Sequence, residues 1–185
     1  MSTPAFNTDN FRSEMATKDF ARSHRYEVQF FAPRIVQTGT EVFRQFSLFT
    51  EDALIPGTLL GTKPIRLNNM NYQRATAIDF NGDSISFGFV VDSTWLVKNV
   101  FTDWMEKIVN PIDREVAFPE DYYSEILIHA LDQSDNILAT WKLYDAFPRS
   151  VAPVQVSYGN TQIVRLPVTF TFRKWTLEFT ANDHD

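Results

Sequence analysis

Hydrophobicity alternates with a period of two along most of this 185-residue chain. It changes to a period of three to four over one stretch, residues 93–111. Period two puts alternate side chains on opposite faces of a strand; period three to four gives one apolar stripe on a helix. Residues 166–175, LPVTFTFRKW, show the first pattern: Leu166, Val168, Phe170 and Phe172 share one face, and Pro167, Thr169, Thr171 and Arg173 share the other. RYEVQFF (25–31) alternates Tyr26, Val28 and Phe30 against Glu27 and Gln29. EVFRQFSLF (41–49) reads as a second strand, with Gln45 and Ser47 between apolar neighbours. In 75–92, Asn81–Gly82 separates two alternating runs, the preferred pair for a two-residue hairpin turn.

The segment 93–111 carries Val97, Val100, Phe101, Trp104, Met105 and Ile108 at helical spacing. Ser93 or Thr94 is placed to cap its start, and Pro111 to close it. YYSEILIHALD and NILATWKLYDAF flank QSDN as a further hairpin, and residues 151–175 read as a third that turns near Gly159–Asn160. The expectation is seven or eight strands and one helix with no strand–helix alternation. That describes a mainly β protein, an antiparallel sandwich or barrel with one flanking α-helix.

Two regions fall outside this pattern. Residues 1–18 lack periodicity and are expected to form a loose N-terminal arm. TEDALIPGTLLGTKPI (50–65) is too irregular for a helix or a plain strand, yet too apolar for a solvent loop. Leu54, Ile55, Leu59 and Leu60, around the Pro56–Gly57 turn, are expected to be covered by the same chain or a neighbouring copy.

Chemistry is hard to find. The chain has no cysteine, which excludes disulfides and thiolate metal sites and suits a reducing cytoplasm. His24, His129 and His184 lie far apart with no ligand-spaced partner, and His129 reads as a structural histidine in mid-strand. DQSDN (132–136) lacks the glycine and terminal glutamate of a calcium loop and reads as a hairpin turn. Glu120, Asp121 and Glu125 read as a solvated loop rather than an acid–base pair. Trp95, Trp104, Trp141 and Trp175 could form a stacking platform, although Trp104 and Trp141 fall on apolar faces. No nucleophile elbow, P-loop or dinucleotide fingerprint is present, no cofactor is implied, and no enzyme is expected. No apolar run approaches a membrane span and the N-terminal segment has no signal region, so a soluble, unexported protein is expected. The net charge is −6, which on average repels nucleic acid.

The order of features resembles the tail tube proteins of contractile-tailed bacteriophages, whose relatives include the inner-tube proteins of type VI secretion systems. DFARSHRYEVQFF resembles the family's entry into the first strand, and FSLFTEDALIPGTLLG a strand running into an A-L-P-G loop. NYQRATAIDFNGDSISFGFVVDSTW resembles the hairpin that follows, and VFTDWMEKIVN the single helix with its F-x-x-W core. WKLYDAFPRSVAPVQVSYGNTQIVRLPVTFTFRKW resembles the closing block. The resemblance covers residues 19–176, leaving 1–18 as an arm and 177–185 as a tail.

The resemblance implies two packed antiparallel sheets, with six copies closing a ring around a continuous inner β-barrel and rings stacking into a tube. Implied partners are further copies of the chain, a tail sheath protein, a tape measure protein, and baseplate and tail terminator proteins. Double-stranded DNA would be transient cargo. The tube would be part of the virion, assembled in the bacterial host cytoplasm. Leu54, Ile55, Pro56, Leu59 and Leu60 are then candidates for contacts between subunits or rings. Gln45, Ser47, Asp79 and Thr169 are candidates to face the lumen, and Phe101, Trp104, Phe170 and Phe172 belong to the core. A baseplate tube-initiator paralogue, a type VI-like inner-tube protein and a sugar- or peptide-binding β-sandwich are the alternatives.

Overall fold

The computed structural model describes residues 7–17, 21–37, 39–67, 70–79, 84–159 and 162–180. Its strands are β1 (Tyr26–Phe30), β2 (Thr50–Ala53), β3 (Leu59–Leu67), β4 (Met70–Asp79), β5 (Ser84–Val90), β6 (Ser124–Leu131), β7 (Ile137–Val151), β8 (Arg165–Thr171) and β9 (Lys174–Phe179). Its helices are α1 (Thr8–Thr17), α2 (Thr40–Phe49), α3 (Leu96–Ile108) and the single turn α4 (Pro119–Tyr122). The protein is mainly β.

β7 organises the fold. Its first half pairs with β6 on one side and β9 on the other, while its last residues, Phe147–Val151, pair with β8. β1 extends the first group beyond β6, and β5 and β2 extend the second beyond β8, all antiparallel. The change of sheet occurs at Asp145, which adopts a left-handed backbone (φ 56°) and pairs with Arg173. The Arg173 amide donates to the Tyr144 carbonyl at 3.0 Å, so the turn after β8 is pinned to the same corner.

The inner faces carry aromatic rings at edge-on contact. Phe30 meets Phe87 with centroids 5.3 Å apart, and Phe101 meets Phe170 at 5.5 Å. Such pairs contribute roughly 0.5–1.5 kcal/mol each beyond the area they bury. Phe101, Trp104, Phe170 and Phe172 are all buried, as are Leu166 and Val168 of the same strand face. Trp104 Nε1 donates to the Tyr122 carbonyl at 3.1 Å, which satisfies the one polar group of that ring.

Several sequence expectations are corrected. Residues 41–49 form helix α2 rather than a strand: Val42, Phe43, Phe46 and Phe49 make a three-to-four stripe, and Phe43 and Phe46 are buried by it. The two-apart pair of Phe46 and Leu48 is misleading, because Leu48 is 80% exposed. The N-terminal arm is not wholly irregular, since Thr8–Thr17 is helical. α3 starts later than expected and is not capped by Ser93 or Thr94. Trp95 precedes it with φ 55°, and Asp92 Oδ1 accepts the Leu96 amide at 3.1 Å. That bond, with a hydroxyl bond from Thr94 as the larger cause, holds the Asp92 carboxyl below its ordinary range.

Among the described residues the runs flanking Asn81–Gly82 do not pair with each other. β4 pairs with β3, β5 pairs with β2 and β8, and the turn itself lies outside the described residues. The strand expected before Gly159 is absent among the described residues: β7 runs to Val151 and an irregular segment follows. Finally, β9 pairs with β7 through Phe179, so the last strand continues past residue 176.

Candidate assembly surfaces

The region 50–65 does not form one irregular loop. β2 ends at Ala53, residues 54–58 cross to the next element, and Leu59 and Leu60 already belong to β3. Leu54 and Ile55 are more than half exposed. They line an open, largely apolar cavity of about 570 Å³ together with Tyr26, Ile128, Ala130 and Trp141. Pro56 is buried within the protomer, and Trp175 Nε1 fixes the next residue by donating to the Gly57 carbonyl at 3.2 Å. The crossing is therefore tied down while its two aliphatic side chains stay open.

Among the described residues β3 and β4 pair only with each other, in register from Leu59↔Asp79 to Leu67↔Met70, with an irregularity beside Gly61. A Cβ at Gly61 would approach Thr76 Oγ1 to 2.9 Å, so the ribbon closes tightly at that point. No residue of this ribbon is buried among those whose side chains are described. Leu59, Leu60, Met70, Tyr72 and Ile78 are each more than half exposed. A lone two-stranded ribbon is marginal in water. This ribbon was missed in the sequence; the available signal was Asn68–Asn69 between the runs KPIRL and MNYQR, since asparagine is a turn former.

The four lumen candidates are not brought to one surface. Gln45 and Ser47 sit on α2 rather than on a strand face. Asp79 ends β4 in the separate ribbon, and its side chain lies outside the described residues. Thr169 lies on the outer face of β8, opposite Ser86 of β5 and Ser150 of β7. With Ser84 and Thr171 this makes an uncharged, hydroxyl-bearing patch behind the aromatic core.

The outer face of the other sheet is charged. Glu27, His129, Thr140 and Glu178 stand in one cross-strand row, and Lys142 reaches Glu125 at 2.8 Å. His129 Nδ1 lies 2.9 Å from Thr140 Oγ1, and burial lowers its pKa from 6.5 while Glu27 opposes that shift. This is a satisfied structural histidine. At 132–136, Asp132 Oδ1 accepts the amides of Ser134 (2.6 Å) and Asn136 (2.9 Å), which makes a hairpin turn. Trp104 is buried and Trp141 and Trp175 pack against the core, so these rings do not form an open platform. Among the described residues there is no cluster of three His, Cys, Asp or Glu that could hold a metal, and no helix long and apolar enough to cross a membrane.

A family model described as phage tail tube protein matches residues 21–178. No curated protein matches by sequence. Among solved structures, a chain of the sheath–tube complex of an extracellular contractile injection system in its extended state superposes with a TM-score of 0.64 at 14% identity. The match covers 95% of this chain and 100% of that one. A chain of the anti-feeding prophage baseplate gives 0.63 at 15% identity, covering 98% and 99%. A chain of the anti-feeding prophage tube-terminating cap gives 0.64 at 15%, covering 97% and 100%. At these identities the likeness is one of fold.

Proposed function

We propose, from the premise that the chain belongs to the phage tail tube protein family, that six copies close into a ring and that rings stack into the hollow inner tube of a contractile tail. Its role is structural. The observation that carries this reading is the family match over residues 21–178, nearly all of the described sandwich.

In such a ring the open edges of the sheets, β1 and β9 on one and β2 on the other, pair with those of neighbours to continue an inner barrel. Closure removes the unpaired backbone groups that an edge strand exposes. The exposed side chains of Leu54, Ile55, Leu59 and Leu60 are covered by adjoining subunits, while Pro56 acts from within the protomer to set the crossing. The hydroxyl patch around Thr169 lines the channel. The hydroxyls themselves carry no charge, and the flanking Arg165 and Arg173 are paired with Glu51 and Asp145, so on a protein of net charge −6 the wall offers phosphates little to grip and double-stranded DNA slides. A sheath protein surrounds the tube, a tape measure protein sets its length, and baseplate and terminator proteins close its ends in the virion.

A second reading is a tube-initiator at the baseplate. It is supported by the likeness to a baseplate chain, which equals the likeness to the sheath–tube chain within 0.01 in TM-score. Electron microscopy of the purified protein tests the first reading. Rings or tubes that grow with concentration are expected; a single ring that never stacks would favour the initiator, and monomers alone would overturn both.

A further inference from the structure

The register of the β3–β4 ribbon places two cations directly opposite each other, Lys63 against Arg74. Like charges across a strand pair destabilise it. Neither side chain has an ion-pair or hydrogen-bond partner among the described residues, and both are exposed. The same ribbon face continues with Ile65 opposite Tyr72 and then with Met70. The other face, Thr62, Ala75, Pro64, Gln73, Arg66 and Asn71, is mostly polar. One face is therefore apolar at its far end and doubly cationic nearer its base, in a chain that is acidic overall.

The complementary surface lies on the same chain, at a different place. After α3, Val109 bridges back to Val116 and the intervening turn projects, with Arg114 in a left-handed conformation (φ 57°). Ile112, Val116 and Phe118 are 86%, 66% and 79% exposed. Asp113, Glu115 and Glu120 lie among them, and the last two have no side-chain partner among the described residues. This segment leads into α4, where the Asp121 carbonyl accepts the Ile35 amide beyond the Phe30 end of β1. The crossing from which the ribbon springs passes Tyr26 at Leu54 and Ile55 and is held at Gly57 by Trp175, which stands in the cross-strand row of Leu143, Ile126 and Phe30. Two different surfaces of one chain that fit each other make a heterologous, head-to-tail contact between copies, which propagates or closes a ring instead of closing a pair.

We propose, resting on the tube reading above, that the Lys63–Arg74 face of one copy's ribbon docks on the 109–120 segment of a neighbouring copy. Lys63 and Arg74 meet Glu115 and Glu120, and Tyr72 and Met70 pack on Ile112 and Phe118. The docked acids relieve the opposed cations, and the neighbour covers apolar side chains that neither protomer covers alone.

The test is a charge exchange in the full chain. K63E/R74E and E115K/E120K should each stay folded by circular dichroism, because all four residues lie outside the core. Each should lose sedimentable tubes at least tenfold, and the chain carrying all four changes should recover them. In the unaltered protein, carbodiimide coupling of mixed light- and heavy-isotope copies should give intermolecular Lys63–Glu115 or Lys63–Glu120 links. Tubes indifferent to either single exchange, or no recovery in the combined chain, would overturn this contact and leave the tube reading standing. An unaltered protein that remains monomeric would overturn both.

Discussion

The aromatic sandwich and the β3–β4 ribbon are built by the same chain under opposite conditions. In the sandwich, Phe87, Phe89, Phe101, Leu166, Val168 and Phe170 are wholly buried. In the ribbon, Leu59, Leu60, Met70, Tyr72 and Ile78 are wet on a structure that, among the described residues, pairs only with itself. The first region is finished within one protomer, and the second is left unfinished by it, to be completed by another copy on the tube reading proposed above. Alternation in a sequence records which face is buried, so it is crisp where burial is intramolecular and blurred where it waits for a neighbour.

The sharpest way to break that contrast is inside the sandwich. Trp104→Ala removes a buried ring and its bond to Tyr122, and should cost about 3–5 kcal/mol in a urea titration. A variant that unfolds at the unaltered midpoint would show that the core is not where the stability lies. Next comes the corner between the sheets. Asp145→Val puts a β-branched side chain at φ 56°, which should cost about 1–3 kcal/mol, whereas Asp145→Gly should be far milder. Equal losses from both would point to the Arg173 ion pair instead of the backbone.

A smaller effect follows from His129. Its folded pKa is lowered, chiefly by burial, so the folded state resists a proton that the unfolded state accepts. Its contribution is complete above the unfolded pKa of about 6.5 and is lost as pH falls from there through the folded value. Urea midpoints should therefore drop between pH 7.5 and pH 5, and less so in His129→Gln. A parallel pH profile in the two proteins would assign the dependence to another group.

The smallest effects on the protomer are expected in the ribbon and on the outer wall. Leu60→Asp should change protomer stability by no more than about 0.5 kcal/mol, yet it should abolish stacking, because an uncompensated charge in a dry contact is heavily penalised. Ribbon amides should exchange rapidly in the monomer and slowly in the tube; equal protection in both states would mean that the ribbon needs no neighbour. Thr169→Lys should leave stability and assembly intact but slow DNA delivery, most at low salt, where screening is weakest. Normal delivery would remove the wall around Thr169 from the channel.

These same regions explain what could be read from residues alone. β8, α3 and the β6–β7 hairpin were legible because each has one face buried by its own chain and clear punctuation, such as Asp132–Asn136. α2 was not, since Phe46 and Leu48 imitate alternation while Val42, Phe43, Phe46 and Phe49 supply the stripe that packing selects. The Asn81–Gly82 signal was local, but β4 finds β3 and β5 finds β8, a choice made by long-range packing. Of the surface candidates, Leu54, Ile55, Leu59 and Leu60 are expected from their unpatterned apolarity to be covered, and the protomer by itself leaves them more than half exposed. Gln45 and Ser47 were misplaced together with their element.

The passage of β7 from one sheet to the other has a mechanical consequence. Two sheets held only by side-chain contacts can shear past one another, but these share a continuous strand from Ile137 to Val151. A load applied to the β1–β6 side reaches the β8–β5 side along covalent backbone, through the bend at Asp145, before any aromatic contact must slip. Arg173 ties the start of β9 to that bend through its ion pair with Asp145 and the hydrogen bond its amide donates to the Tyr144 carbonyl. A tube wall made of such units would transmit thrust as a frame does, through its joints, and its stiffness would be set at this one corner.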